Sequence, residues 1–257
     1  MGHKIMAIGP SGKGKTYAVK GLNPKETFII APDMKALPWR GFSKDYKRLT
    51  SESGSPDWKN KDCNMVYTDK MDRIVFLVKA INEQRPDVKN IVIDTITFAM
   101  VRSMMDRIYE QGYDKFKQFA NEVWEIIKLI PHFREDLFVF FLAHDEMETD
   151  ASGIRINRFK VPAGKLTNEA LTPEAKFDVV LYSNMIIHEG KRYYYFETQN
   201  NGRNTCKSPE GMFERDIIPN DFGFVKKSYI AWWEGKEYPK VPDNNLEEII
   251  GELANTF

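Results

Sequence analysis

Eight consecutive residues, Gly9-Pro10-Ser11-Gly12-Lys13-Gly14-Lys15-Thr16, restrict what this chain can fold into more than any other feature. They match G-x-x-x-x-G-K-[ST], follow an apolar run at 4–8, and open a helical segment at 15–20 that Gly21 stops. Glycines here let backbone N–H groups turn inward around phosphate oxygens, and a helix N-terminus favours the same negative charge. Lys15 is placed to neutralise the β- and γ-phosphates of ATP, and the Thr16 hydroxyl to ligate Mg2+. The expected nucleotide contacts are therefore Gly9 to Thr16 together with Tyr17. A glycine-rich turn with a surface lysine is the competing reading, and the strand–loop–helix context argues against it.

Further apolar runs at 27–31, 64–67, 90–94 and 137–143 alternate with amphipathic or polar stretches. That alternation predicts an α/β fold with a mostly parallel central sheet flanked by helices. Runs at 178–182 and 192–198 predict a small mixed or antiparallel C-terminal β extension. Helices are expected at 72–84, before Pro86, and twice within 98–134. In the second of these, Phe116, Phe119, Val123, Ile126, Ile127 and Ile130 recur at helical spacing and mark a core-facing stripe. Residues 51–60 and 149–176 read as loops, the second long enough to suggest function. Trp232-Trp233 reads as packed under a strand, and the tail from Pro239 ends in an amphipathic pattern of Leu246, Ile249, Ile250 and Leu253. The division expected is a core at 1–207 and a C-terminal extension and tail at 208–257.

Lys+Arg and Asp+Glu both number 37, so no overall field steers nucleic acid, and any DNA binding needs a local basic patch. Two cysteines, Cys63 and Cys206, exclude a disulfide framework and a four-cysteine zinc site, and fit a reducing, cytoplasmic compartment. The phosphate loop begins at Gly9, which leaves no room for a signal peptide, and Met6 breaks the myristoylation pattern after Met1-Gly2. The longest apolar run, at 138–143, is too short to span a bilayer, so no membrane partner is expected.

The run at 90–94 delivers one carboxylate, Asp94, to the strand end where a phosphate loop sits, as a magnesium partner through water. Many ATPases place a glutamate next; here Thr95 follows, so the water-activating carboxylate must come from another strand. Asp33, just beyond 28–32, is the first candidate, with a turn aspartate as the alternative. Ala143-His144-Asp145-Glu146 supplies His144 as a candidate γ-phosphate sensor, or a satisfied strand-end histidine, and Glu146 as the second candidate base. No second cation is evident near Lys15 within one chain.

The order of these elements resembles the RecA-like P-loop core, particularly the small phage-encoded ATPases of single-strand annealing and recombination. The residues that carry the resemblance are GPSGKGKT at 9–16, TFIIAPD at 27–33, NIVIDTITFA at 90–99, LFVFFLAHDE at 137–146 and TQNNGRNTCK at 198–207. It covers roughly residues 4–207. The resemblance implies an ATPase that assembles as a filament or ring on single-stranded DNA in the host-cell cytoplasm, with a single-strand DNA-binding protein as a further partner. It implies that Asp33 stands near the catalytic acid and that Trp39 stacks on adenine. His144 would replace the glutamine that couples nucleotide to the DNA-binding loop, which would be 149–176. It also implies that Arg203 and Lys207 act on the γ-phosphate of a neighbouring subunit, solvated surface charge being the alternative.

Within that loop, Arg155, Arg158, Lys160 and Lys165 interleave with Phe159, a pattern suited to phosphates plus a stacked base, although Asp150, Glu169 and Glu174 dilute it. The function expected is ATP hydrolysis, DNA-stimulated, in recombination, annealing or replication. The alternatives are a small-molecule P-loop kinase, with 154–165 as a lid, and a nucleotide-gated DNA-binding scaffold with negligible turnover.

Overall fold

The apolar runs are too hydrophobic on both sides to tolerate one solvent-facing surface, so they must be sandwiched between two layers. A computed structural model of the chain, which describes residues 1–111, 114–149, 153–161, 173–242 and 250 (of 114–120 the backbone alone), shows this arrangement. The runs become β1 (His3–Ile8), β2 (Thr27–Ala31), β3 (Met65–Tyr67), β4 (Asn90–Asp94), β5 (Phe138–Ala143), β8 (Val179–His188) and β9 (Lys191–Glu197). With β10 (Ile217–Pro219) they form an eight-stranded sheet in the order β10-β9-β8-β1-β5-β4-β2-β3. The strands from β8 to β3 in that order run parallel, and β9 pairs antiparallel with both β8 and β10. The fold is thus α/β with a mostly parallel central sheet. The two late runs extend that sheet directly: β8 lies against β1, pairing Val179 with Ile5 and Tyr182 with Ile8.

Alternate strand residues enter opposite layers. Met6, Ile8, Ile91, Ile93, Val139 and Phe141 meet α2 (Met71–Gln84), α3 (Ile96–Asp106) and α4 (Asp114–Leu129). Val123, Ile126, Ile127 and Ile130 of the expected stripe are buried there, while the side chains of Phe116 and Phe119 lie outside the described residues. Ile5, Ala7, Val92, Phe140 and Leu142 face the other layer, built by a short 3-10 segment (Thr16–Gly21) and a C-terminal helix, α5 (Phe222–Trp233). A four-residue helix, α1 (Phe42–Asp45), precedes β3.

Three expectations change. The helix after the phosphate loop is the 3-10 segment alone; a Cβ on Gly21 would stand 1.8 Å from Asp221 Oδ1, so the chain turns away under the start of α5. Trp232 and Trp233 end that helix rather than underlying a strand: Asp221 caps it by accepting from Phe224 N at 3.0 Å, and Tyr229 is buried against His3 and Phe138. The stretch 149–176 is not simply a loop, because β6 (Asp145–Thr149) and β7 (Arg155–Phe159) form a two-stranded antiparallel hairpin. Lys165, Leu246, Ile249 and Leu253 lie outside the described residues. Among those described, no helix is long and apolar enough to cross a membrane.

Candidate functional site

Strand register brings the phosphate loop and Asp94 together. Ile8 pairs with Ala143, and Asp94 with Leu142 one residue earlier on the same strand, so β1 and β4 deliver their last residues to one edge, one strand apart. The loop leaves β1 with Gly12 at φ +79° and Gly14 at φ +94°, backbone that glycine adopts freely and other residues rarely do. A Cβ on Gly14 would lie 2.8 Å from the Tyr194 ring. The far side of the loop is buttressed: Ser183 Oγ donates to Lys13 O at 2.6 Å, Lys13 Nζ donates to Met185 O at 3.3 Å, and Asn220 Nδ2 donates to Ser183 Oγ at 3.3 Å.

Lys15 is 6% exposed, and its ammonium donates to the Pro10 carbonyl at 2.8 Å and to that of Gly9. Burial lowers its pKa to about 8, against the attraction of Asp94 and Asp145. Asp94 is 4% exposed; burial raises its pKa to about 6, opposed by a hydrogen bond with Thr16 and by Lys15, with Asp33 adding to the rise. A buried carboxylate close to the loop's threonine hydroxyl, beside a desolvated ammonium, is the donor set that a magnesium–triphosphate pair requires. Thr16 and Asp94 would hold the ion together with phosphate oxygens; among the described residues no group of three or more His, Cys, Asp or Glu is placed to bind a metal by itself.

These groups open on a cavity of about 760 Å3, within the usual range for ligand pockets. One wall carries Asp33 and Lys35, another Phe98 and His144, and a third Tyr17, Arg192 and Tyr194. His144 lies edge-on to Phe98 with ring centroids 5.6 Å apart, and its backbone N donates to Thr97 Oγ1 at 3.0 Å. Burial and then the Lys15 charge lower its pKa, so the imidazole is neutral at pH 7. Asp33 accepts from Lys35 N at 3.2 Å and stands 4.0 Å from Lys35 Nζ, which partly neutralises the candidate base. Glu146 does not line the cavity; it sits on β6 and accepts from Val161 N at 3.5 Å.

Trp39 does not line the cavity either. It packs edge-on against Tyr46 at 6.0 Å and on the core layer that also holds Ala18 and Val19, whereas Tyr17 and Tyr194, 6.3 Å apart, border the loop. Arg203 and Lys207 are likewise absent from the walls. Lys207 bridges β8 through its backbone to Val180 and donates Nζ to Ala175 O at 3.0 Å, and Arg203 O accepts from Asn157 N at 2.9 Å. The expectation that one chain holds no second cation near Lys15 is corrected: Lys35 and Arg192 both line the cavity. Asp145, bonded by Tyr182 Oη at 2.7 Å and attracting Lys15, was also overlooked as a partner of the lysine. No local sequence signal marks Arg192, because strand pairing alone places it, whereas Asp145 stands in the strand-end run 143–146.

Two of the proposed DNA contacts are corrected. Phe159 is 0% exposed within the core, so its ring has no face for a base. Arg158 is held by Glu148 at 2.8 Å and lies 3.9 Å from Glu174, so its charge is already met. Arg155 and Lys160 are exposed on the hairpin, and Lys160 N donates to His144 O at 2.9 Å.

A family model described as an AAA domain, AAA_24, matches residues 1–209. No curated protein matches the chain. Among solved structures, the KaiC-like protein PH0186 from the hyperthermophilic archaeon Pyrococcus horikoshii OT3 is similar over 76% of this chain and 77% of that one, at 12% identity and a TM-score of 0.41.

Proposed function

The chain belongs to the AAA_24 family of AAA domains, and from that premise we propose that it binds ATP with magnesium, hydrolyses it, and couples turnover to single-stranded DNA. At the coarser level it is a P-loop ATPase domain. The observation that carries the reading is the buried pair Lys15 and Asp94 beside the half-buried Thr16 at the mouth of the phosphate loop. In this reading Lys15 turns from the Gly9 and Pro10 carbonyls to the β- and γ-phosphates, and the loop N–H groups hold the remaining oxygens. Magnesium supplies charge neutralisation at the phosphates when bound. Asp33 orients and deprotonates the attacking water, and neutral His144 senses the γ-phosphate and passes its state to the hairpin through the Lys160 backbone contact.

Support for a DNA role is the exposed pair Arg155 and Lys160 on a hairpin that starts beside His144, together with the resemblance to phage recombination and annealing ATPases. A second reading, a nucleotide-gated scaffold with negligible turnover, is favoured by Thr95 after Asp94 and by the contact between Lys35 and Asp33.

Fluorescent-ATP titration and phosphate release, with and without single-stranded DNA, test these readings. Binding lost in Lys15→Ala and a rate raised by DNA are expected, with the DNA effect reduced in Arg155→Ala/Lys160→Ala. Tight binding with no phosphate release would select the scaffold. Wild-type affinity in Lys15→Ala would remove the site assignment altogether.

A further inference from the structure

We infer that Arg192 is a phosphate-binding residue that completes the nucleotide site from within the same chain, its guanidinium closing over the phosphates that the loop cradles. This rests on the reading of the cavity as an ATP site. The placement follows from the β8–β9 hairpin. Glu189 (φ +49°) and Gly190 (φ +74°) form its two-residue turn, both in the left-handed region as a type I′ turn requires, and His188 pairs with Lys191. Such a turn fixes register tightly, so Arg192 opposes Ile187 and Tyr194 opposes Met185.

Met185 O receives the Lys13 ammonium, and the Tyr194 ring covers Gly14. The hairpin is therefore clamped to the middle of the phosphate loop at two points. Alternate residues of a strand share a face. Phe196, two residues beyond Tyr194, is buried with Ala18 and Val19 on the loop's side of the sheet. Arg192, two residues before Tyr194, lies on that same side but farther out, at the open rim of the cavity.

Its chemistry separates it from the other basic groups. Lys15 is bonded to loop carbonyls, and Lys35 lies beside Asp33 and over the Phe98 ring at 5.2 Å. Arg158, Lys207 and Lys13 are all engaged elsewhere. Among the described residues the Arg192 guanidinium has no hydrogen bond or ion pair, and it is exposed. A planar guanidinium matches two phosphate oxygens at once, and on a rigid strand it loses little freedom in doing so. The phosphate charge is then met from both sides of the cavity by one subunit, Lys15 below and Arg192 above.

The test is equilibrium binding of ATP, ADP and AMP to the full chain, with thermal unfolding as a control. Arg192→Gln should weaken ATP binding about tenfold or more, leave AMP binding nearly unchanged, and leave the unfolding midpoint where it is, because the residue is exposed. Arg192→Lys should recover part of the loss. ATP affinity within twofold of wild type in Arg192→Gln, alongside loss of binding in Lys15→Ala, would overturn this inference and leave the ATP reading standing. An equal loss for AMP would also overturn it, by placing the residue on the α-phosphate, sugar or base instead of the β- and γ-phosphates that the loop cradles. Failure of the wild-type chain to bind any nucleotide would remove the ATP reading and this inference with it.

Discussion

Replacing Asp94 by asparagine is expected to stabilise the chain while abolishing magnesium-dependent turnover. The carboxylate is 4% exposed, and burial holds its pKa at about 6 instead of 3.8, even with Thr16, Lys15 and Thr95 pulling it down. Below the unfolded value both states carry the proton, and the site costs nothing. Between 3.8 and about 6 the unfolded chain ionises first, so stability falls as pH rises; above that window the full penalty is present. At about 1.4 kcal/mol per pKa unit the penalty is on the order of 3 kcal/mol. Asparagine has nearly the same shape and mimics the protonated acid. Urea unfolding at pH 8 should therefore show a higher midpoint with an unchanged slope, worth about 2–3 kcal/mol. At pH 4 most of the gain should vanish, while phosphate release by the variant is lost at every pH. Equal or lower stability at pH 8, or a gain of the same size at pH 4, would show that the Thr16 contact outweighs burial, and would refute the reasoning.

Four further outcomes are expected. The pH profile of kcat/KM should rise through about pH 6 as Asp94 ionises and fall through about pH 8 as Lys15 loses its proton; a flat profile across that range would mean neither group governs the free enzyme. Gly14→Ala should weaken nucleotide binding about tenfold, because φ is +94° and its Cβ meets Tyr194, and Tyr194→Ala should rescue it in part; full affinity in the single variant would show that the loop shifts freely. Asp33→Asn should lower turnover about a hundredfold with ATP affinity unchanged, and an unaltered rate would move the base to another carboxylate. Phe159→Ala should lose about 3–5 kcal/mol in urea unfolding, while the milder Phe159→Leu keeps its single-stranded DNA affinity; the opposite pattern would restore the ring as a stacking group.

Most of the parallel sheet was legible in the sequence. A strand buried on both faces must be largely apolar, so β1, β2, β4 and β5 announce themselves as apolar runs with polar residues only at their ends. The phosphate loop is legible for a related reason: its conformation depends on glycines at fixed spacing, and Gly12 and Gly14 both take left-handed backbone. The lone acid closing 90–94 could likewise be read locally, since parallel strands place their last residues at one edge.

Signals that depend on neighbours far along the chain misled. Phe159 between basic residues has the composition of a nucleic-acid contact, yet β7 folds back on β6 and carries the ring into the core. Tyr-Ile-Ala-Trp-Trp has strand-like residues, yet Asp221 caps a helix whose buried face meets His3 and Phe138. Trp39 follows β2 at a suggestive distance, but its ring found Tyr46, and the aromatic that joins Tyr17 beside the loop is Tyr194, 180 positions after Gly14. The sequence by itself determined that phosphate would be held at the end of the first strand, because spacing and glycine content suffice for that. Tertiary structure decided which side chains wall the cavity, because Lys35, Arg192 and Tyr194 reach it through strand order and hairpin register, which involve residues too far apart for any local pattern to record.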